Sequence, residues 1–148
     1  MEEMNDGNTE MIVIKENQIT LEEYLAIRDS VHWKILSGSQ ADKALANSLY
    51  IVGAYEDERL VGMGRIVGDG AVICYVQDLI VHPDYQKRGV GSMVLSTLVR
   101  FVEGLREENT EMMLCLMCAK GREKFYEKHG FLARPTETLG PGMIQYLR

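Results

Sequence analysis

The chain has little that would carry it into a membrane and little that would attract polyanions. No apolar stretch approaches the roughly 20 uninterrupted residues needed to span a bilayer. Residues 1–10 are polar and acidic, whereas a secretory leader starts basic and then turns apolar. Lysine and arginine number 16 against 22 aspartate and glutamate, a formal charge of -6. That balance gives no global attraction to nucleic acid or anionic lipid, so any phosphate must be held locally. Cysteine is scarce as well: Cys74, Cys115 and Cys118 lie in apolar stretches and suggest no disulfide framework. Cys115 and Cys118 spell C-x-x-C, but no second Cys/His pair accompanies them, and His32, His82 and His129 are scattered. These absences lead us to expect a cytoplasmic protein with no metal, no nucleic-acid partner and no membrane partner.

What remains is an ordinary globular composition, 46% apolar and 26% charged over 148 residues. A chain of this length buries about 70% of the surface its unfolded form exposes. We expect a flexible leader at 1–10 and one domain at 11–148, without repeats or low-complexity segments.

Residues 11–14 read as a strand. Thr20 and Glu23 then form a capping box, and the apolar stripe of Leu21, Tyr24 and Leu25 continues the helix. A second short helix is predicted at 39–46. The β-rich runs 49–55 and 60–67 flank a charged turn and should pair as an antiparallel hairpin. After the Gly68-Asp69-Gly70 turn, residues 71–81 run almost continuously apolar, as in a central strand covered on both faces. Leu95, Leu98, Val99 and Val102 recur at helical spacing within 91–105. A strand at 112–117, a helix at 122–129 stopped by Gly130, and a last strand at 143–147 complete the expected order.

The segment Val81-His-Pro-Asp-Tyr-Gln-Lys-Arg-Gly-Val-Gly-Ser92 passes from buried strand through a basic turn into a helix. Free N–H groups at a helix start attract anions, and glycine lets a pyrophosphate approach the backbone. A Walker loop is excluded because no lysine follows Gly91. A dinucleotide fingerprint is excluded because Val94 replaces its third glycine. A plain sharp turn would account for the glycines alone.

Gln86-x-x-Gly89-x-Gly91, preceded by Pro83 and an apolar strand end, resembles the Gcn5-related N-acetyltransferase (GNAT) family. Phe125-Tyr-Glu-Lys-His-Gly-Phe131 is similar to that family's late helix-and-strand motif and follows in the expected order. The resemblance covers 49–131. It implies an α/β (α+β) fold with a mixed, mostly antiparallel central sheet flanked by helices. In that fold the strands at 71–81 and 112–117 splay to admit acetyl-CoA.

By resemblance, Leu79, Ile80 and Val81 would pair with the pantetheine arm. Gln86, Lys87, Arg88, Gly89, Val90, Gly91 and Ser92 would form the pyrophosphate anchor. Tyr126 matches the family's tyrosine beside the coenzyme A sulfur, and a phenol protonated at neutral pH can donate toward a departing thiolate.

Tyr24 and Trp33 fall in the region that forms an acceptor wall in such proteins, where they would either offer an aromatic surface to the acceptor or simply pack in the core. Tyr75 and Gln77 share a face with Leu79 and Val81 if the strand is regular, and would address the acceptor. Glu is common in the family near position 77, so the Gln there leaves the base unassigned. Asp78 could serve only if a bulge redirects it. No Asn stands at 119–121, where many relatives carry one. The implied activity is acetyl transfer from acetyl-CoA to a primary amine, on a small molecule or a peptide amino group. The rival from another class is a noncatalytic acyl-CoA-binding regulator. Relatives often dimerise.

Overall fold

The computed structural model describes residues 11–148; the expected leader at 1–10 lies outside the described residues. Its centre is a five-stranded sheet in the order β1-β2-β3-β4-β5. The strands are β1 Ile12–Glu16, β2 Tyr50–Glu56, β3 Arg59–Gly68, β4 Ile73–Val81 and β5 Met113–Leu116. The first four pair antiparallel, and β5 joins β4 in parallel. This is the mixed, mostly antiparallel sheet that the motifs imply.

Helices cover both faces. On one side lie α1 Leu21–Ser30 and α2 Gly38–Ala46. The Thr20 hydroxyl accepts from the Glu23 N–H at 3.1 Å, and the Glu23 carboxylate accepts from the Thr20 N–H at 2.9 Å, so the capping box forms as expected. Tyr24, Ile27 and Ala41 then meet Met63 and Ile80 of the sheet in a compact apolar cluster. The opposite face carries α3 Val90–Leu105, whose Val94, Leu95, Leu98 and Val102 pack on Val52, Val61, Ile66 and Val76. Two glycines of β3 allow that approach. A Cβ on Gly64 would stand 2.7 Å from Leu98 Cδ1, and one on Gly62 2.7 Å from Val90 Cγ1.

Two expectations fail. The first concerns β4. It does run between covered faces, but its pairing with β3 slips: Met63 faces Ile80, whereas Arg65 faces Gln77. Gly64 therefore opposes two residues, Asp78 and Leu79, and Asp78 takes a positive φ of 57°. This bulge breaks the period of two. Cys74 and Val76 pack on the α3 side, while beyond the slip it is Leu79 and Val81 that do so. Tyr75 and Gln77 consequently lie on the α1 side, and the four residues do not share one face.

The second concerns the tail. Residues 131–148 contain no strand, and Met143, Ile144, Tyr146 and Leu147 are 62–86% exposed. Among the described residues, 143–147 pairs with no strand of the sheet.

Candidate functional site

β4 and β5 pair only from Ile73↔Met113 to Val76↔Leu116, although β4 continues to Val81. Beyond Val76 the two strands part, and the side of residues 77–81 that faced β5 opens into a cleft of about 170 Å³. Leu79, Ile80 and Val81 form one wall. Gln86 and Gly91 lie at its end, and Ala119, Arg122, Phe125 and Tyr126 close the far side. The last three belong to or precede the short helix α4 Glu123–Glu127. Val31 and Trp33, from the loop after α1, complete the lining.

The turn into α3 has the local geometry that its sequence requires. One turn of 3₁₀ helix at Pro83–Tyr85 follows β4. Gln86 then reaches back, its amide Nε2 donating to the Val81 carbonyl at 3.3 Å, which ties the turn to the strand end. Lys87 and Gly89 both adopt positive φ, 65° and 83°. At Gly89 that conformation is free of Cβ strain, and Gly89 is the residue that starts the helix. The first helical hydrogen bond runs from the Met93 N–H to the Gly89 carbonyl at 3.0 Å. The N–H groups of Val90, Gly91 and Ser92 thus have no helical acceptor, and no side chain caps them. They are the positive end of a 16-residue helix at the edge of the cleft. Val90 itself is buried in the core, so it contributes backbone only. Gly91 is held close: a Cβ there would lie 3.4 Å from Phe125 Cζ and 3.5 Å from Val81 Cγ2. Lys87 and Arg88 are exposed beside the turn, and the Arg88 guanidinium sits 5.0 Å from the centroid of the Tyr85 ring.

Tyr126 faces the same cleft, half-buried and wedged edge-on between Phe125 and Phe131, with ring centroids 5.1 and 6.0 Å away. Burial pushes its phenol above the ordinary pKa; the neighbouring Cys118 adds to the rise and Arg122 opposes it. The hydroxyl is therefore a proton carrier at neutral pH.

The expected acceptor residues separate into two groups. Trp33 lines the cleft, 38% exposed. Tyr24 has no exposed surface, and its hydroxyl donates to Asp78; a diffusing acceptor cannot meet it there. Tyr75 and Gln77 are half-buried on the α1 side and do not line the cleft.

The bulge does redirect Asp78, but into a closed ion cluster. Its Oδ1 accepts from Arg28 Nη1 at 2.9 Å and its Oδ2 from Arg65 Nε at 2.8 Å, and its side chain is 0% exposed. A carboxylate held by two guanidiniums and a phenol has no open path to a substrate proton. Arg28 extends this cluster to the cleft: its Nη2 donates to the Lys34 carbonyl at 3.0 Å, and its guanidinium lies 5.4 Å from the Trp33 ring centroid.

Sequence reasoning missed Arg122, Phe125 and Val31 as lining residues. Phe125 opens the late helix-and-strand motif and could have been found there; the other two carry no spacing signal.

Comparison with known proteins agrees with this geometry. A family model described as acetyltransferase (GNAT) domain matches residues 47–132. The chain is 31% identical over 121 residues to an uncharacterized N-acetyltransferase, ycf52-like, of Prochlorococcus marinus, covering 79% of this chain and 63% of that protein. It is 27% identical over 142 residues to a histone acetyltransferase of Glycine max, covering 88% of this chain and 60% of that protein. The chain thus spans about three fifths of the length of these two relatives. Among solved structures, a GNAT-family acetyltransferase from Streptococcus pneumoniae superposes with a TM-score of 0.79 at 31% identity, covering 93% of this chain and 99% of that one. The anchor turn, the splayed strands and the matched family model together establish that this chain belongs to the GNAT acetyltransferase family.

Proposed function

We propose that the protein is an acetyl-CoA-dependent N-acetyltransferase that passes an acetyl group to a primary amine on a small molecule or a peptide. The observation that carries this reading is convergence: three uncapped helix-start N–H groups, an open strand edge and a protonated tyrosine all border one cleft.

The residues present fit the cosubstrate. The N–H groups of Val90, Gly91 and Ser92 offer hydrogen bonds to a pyrophosphate, with Lys87 and Arg88 adding charge from the exposed side of the turn. The open edge at 79–81 offers main-chain groups to the amides of a pantetheine arm, and Gln86 fixes the strand end against the turn. The cosubstrate supplies a thioester-activated acetyl group. Tyr126 holds a proton at its hydroxyl and donates it toward the leaving sulfur, a role that burial favours by keeping the phenol neutral. Trp33 offers a flat apolar face to the acceptor on the opposite side of the cleft. No side chain in the cleft is suited to take the amine proton at neutral pH, so the amine loses it to water or arrives already neutral.

The test is free-thiol release from acetyl-CoA over a panel of small amines and peptides. Acceptor-dependent release is expected. Tyr126→Phe should lower kcat roughly a hundredfold while leaving acetyl-CoA affinity nearly unchanged. In the unsubstituted enzyme, activity should hold as pH rises to about 10, the ordinary tyrosine value, because the raised pKa keeps the donor protonated there. Equal turnover in the Phe variant removes Tyr126 from the mechanism. Tight cofactor binding without acceptor-dependent thiol across the whole panel would indicate an acyl-CoA-binding regulator instead.

A further inference from the structure

The wall that carries Trp33 has little apolar packing of its own. It is the loop 31–36 between α1 and α2, and its ends alone reach the core, where Val31 and Leu36 pack on the α1-side cluster. Between them Trp33 is 38% and Ile35 83% exposed. Trp33 also borders two cavities: the cleft, and a second space of about 210 Å³ bounded by Leu25, Arg28, Ile35 and Leu36. Burial holds the middle of such a segment weakly, so its position rests on polar contacts.

Those contacts converge on Arg28. Its main-chain carbonyl accepts from the Val31 N–H at 3.3 Å and from the Trp33 N–H at 3.2 Å, and its guanidinium Nη2 donates to the Lys34 carbonyl at 3.0 Å. His32, inside this grip, takes a left-handed φ of 61°, which is uncommon outside glycine. The same guanidinium lies 5.4 Å from the centroid of the Trp33 ring and 5.8 Å from that of Tyr24. Its Nη1 donates to Asp78 Oδ1 at 2.9 Å, and Asp78 stands at the β4 bulge directly before the open edge at 79–81. The orientation of the fork is informative. Two parallel bonds to one carboxylate are the strong arrangement for an arginine. Arg28 instead gives Asp78 a single nitrogen, leaves its buried Nε without a partner among the described residues, and turns Nη2 to the loop.

We infer that Arg28 is a positioning residue for the acceptor: anchored by Asp78 at the bulge, it holds residues 31–34, and with them the Trp33 ring, in the wall of the cleft. The consequence for the acceptor rests on the acetyl-transfer reading, whereas the hold on the loop does not. Arg65 supplies the contrast within the same cluster. It shares Asp78 through Nε at 2.8 Å, but its Nη1 turns to Ser48 Oγ at 3.1 Å and to the Ala44 carbonyl at 3.5 Å, at the end of α2 and away from the loop. Both arginines neutralise one buried carboxylate, and Arg28 alone connects it to the cleft.

Arg28→Lys keeps a charge opposite Asp78, but the ammonium ends where the guanidinium carbon sits and falls short of both acceptors. Arg65→Lys is the matching change on the same carboxylate. In Arg28→Lys, amides 31–33 should exchange about tenfold faster than in the unsubstituted protein. With 2-phenylethylamine as acceptor, an amine with a ring for Trp33 to face, KM for the amine should rise about tenfold, while kcat and the affinity for coenzyme A stay within about twofold. Arg65→Lys should lower the urea midpoint yet leave both the exchange at 31–33 and the amine KM unchanged. Trp33→Leu should raise the same KM, and adding Arg28→Lys to it should raise it no further, since both act through one ring. On the unsubstituted chain, nitrogen-15 NMR should find rotation of the Arg28 guanidinium restricted. Equal effects from the two arginine variants, unchanged exchange in Arg28→Lys, additive effects on KM, or a freely rotating Arg28 guanidinium would each overturn the inference. If no amine draws thiol from acetyl-CoA, the acetyl-transfer reading falls, and the exchange and NMR results still decide whether Arg28 holds the loop.

Discussion

Asp78 illustrates how one residue can look catalytic in sequence and prove architectural in three dimensions. It sits at the bulge with a positive φ, its side chain fully enclosed by Arg28, Arg65 and the Tyr24 hydroxyl. Taking a carboxylate from such a cluster leaves two guanidiniums facing each other without their counter-charge. Asp78→Asn should therefore destabilise the fold by about 3–5 kcal/mol, read as a lowered midpoint in urea denaturation. Tyr126 is the contrasting case, since its neighbours are aromatic and its hydroxyl borders open space. The sequence exposes Tyr126 because it stands in an ordered motif. It conceals the position of Asp78, because neither a glycine nor a proline stands at the bulge in β4, and a left-handed backbone is uncommon at any single residue other than glycine. Tyr75 and Gln77 are misplaced by sequence reasoning for the same reason: a register slip of one residue reverses every assignment on one side of it.

At the scale of elements, the close approach of α3 to β3 depends on glycine. Gly64 accepts Leu98, Val94 and Leu79 over its missing side chain, with a hypothetical Cβ 2.7, 3.0 and 3.3 Å from their terminal carbons. Leu98 and Val94 are completely buried and have no space to yield into. Gly64→Ala should cost about 1–3 kcal/mol by overpacking, seen as an earlier denaturant midpoint with an unchanged slope. Elements whose signals are local are legible: the capping box of α1, the β2–β3 hairpin and the apolar stripe of α3 all form within a residue or two of expectation. The tail is not. Whether 143–147 becomes a strand depends on which edge meets it, a nonlocal fact that composition does not carry.

For the whole molecule, the division into two apolar clusters on opposite faces of one sheet has a mechanical meaning. The α3 side carries the turn proposed to hold the pyrophosphate, and the α1 side carries the Asp78 cluster and, through Arg28, the Trp33 loop. The two sides meet at the bulge. Addition of coenzyme A should therefore slow amide exchange at 90–92 and 79–81 most strongly, with a smaller effect at 31–34. Unchanged exchange at the helix start in the presence of saturating coenzyme A would contradict the proposed anchor.

Trp33 is the only indole in the chain, and it stands in the wall of the cleft with a guanidinium near its ring. Its ultraviolet emission consequently originates from this one location. Occupancy of the cleft, loosening of the Arg28 contact and loss of the fold each alter the surroundings of a single fluorophore, so the protein carries its own optical probe without any attached label.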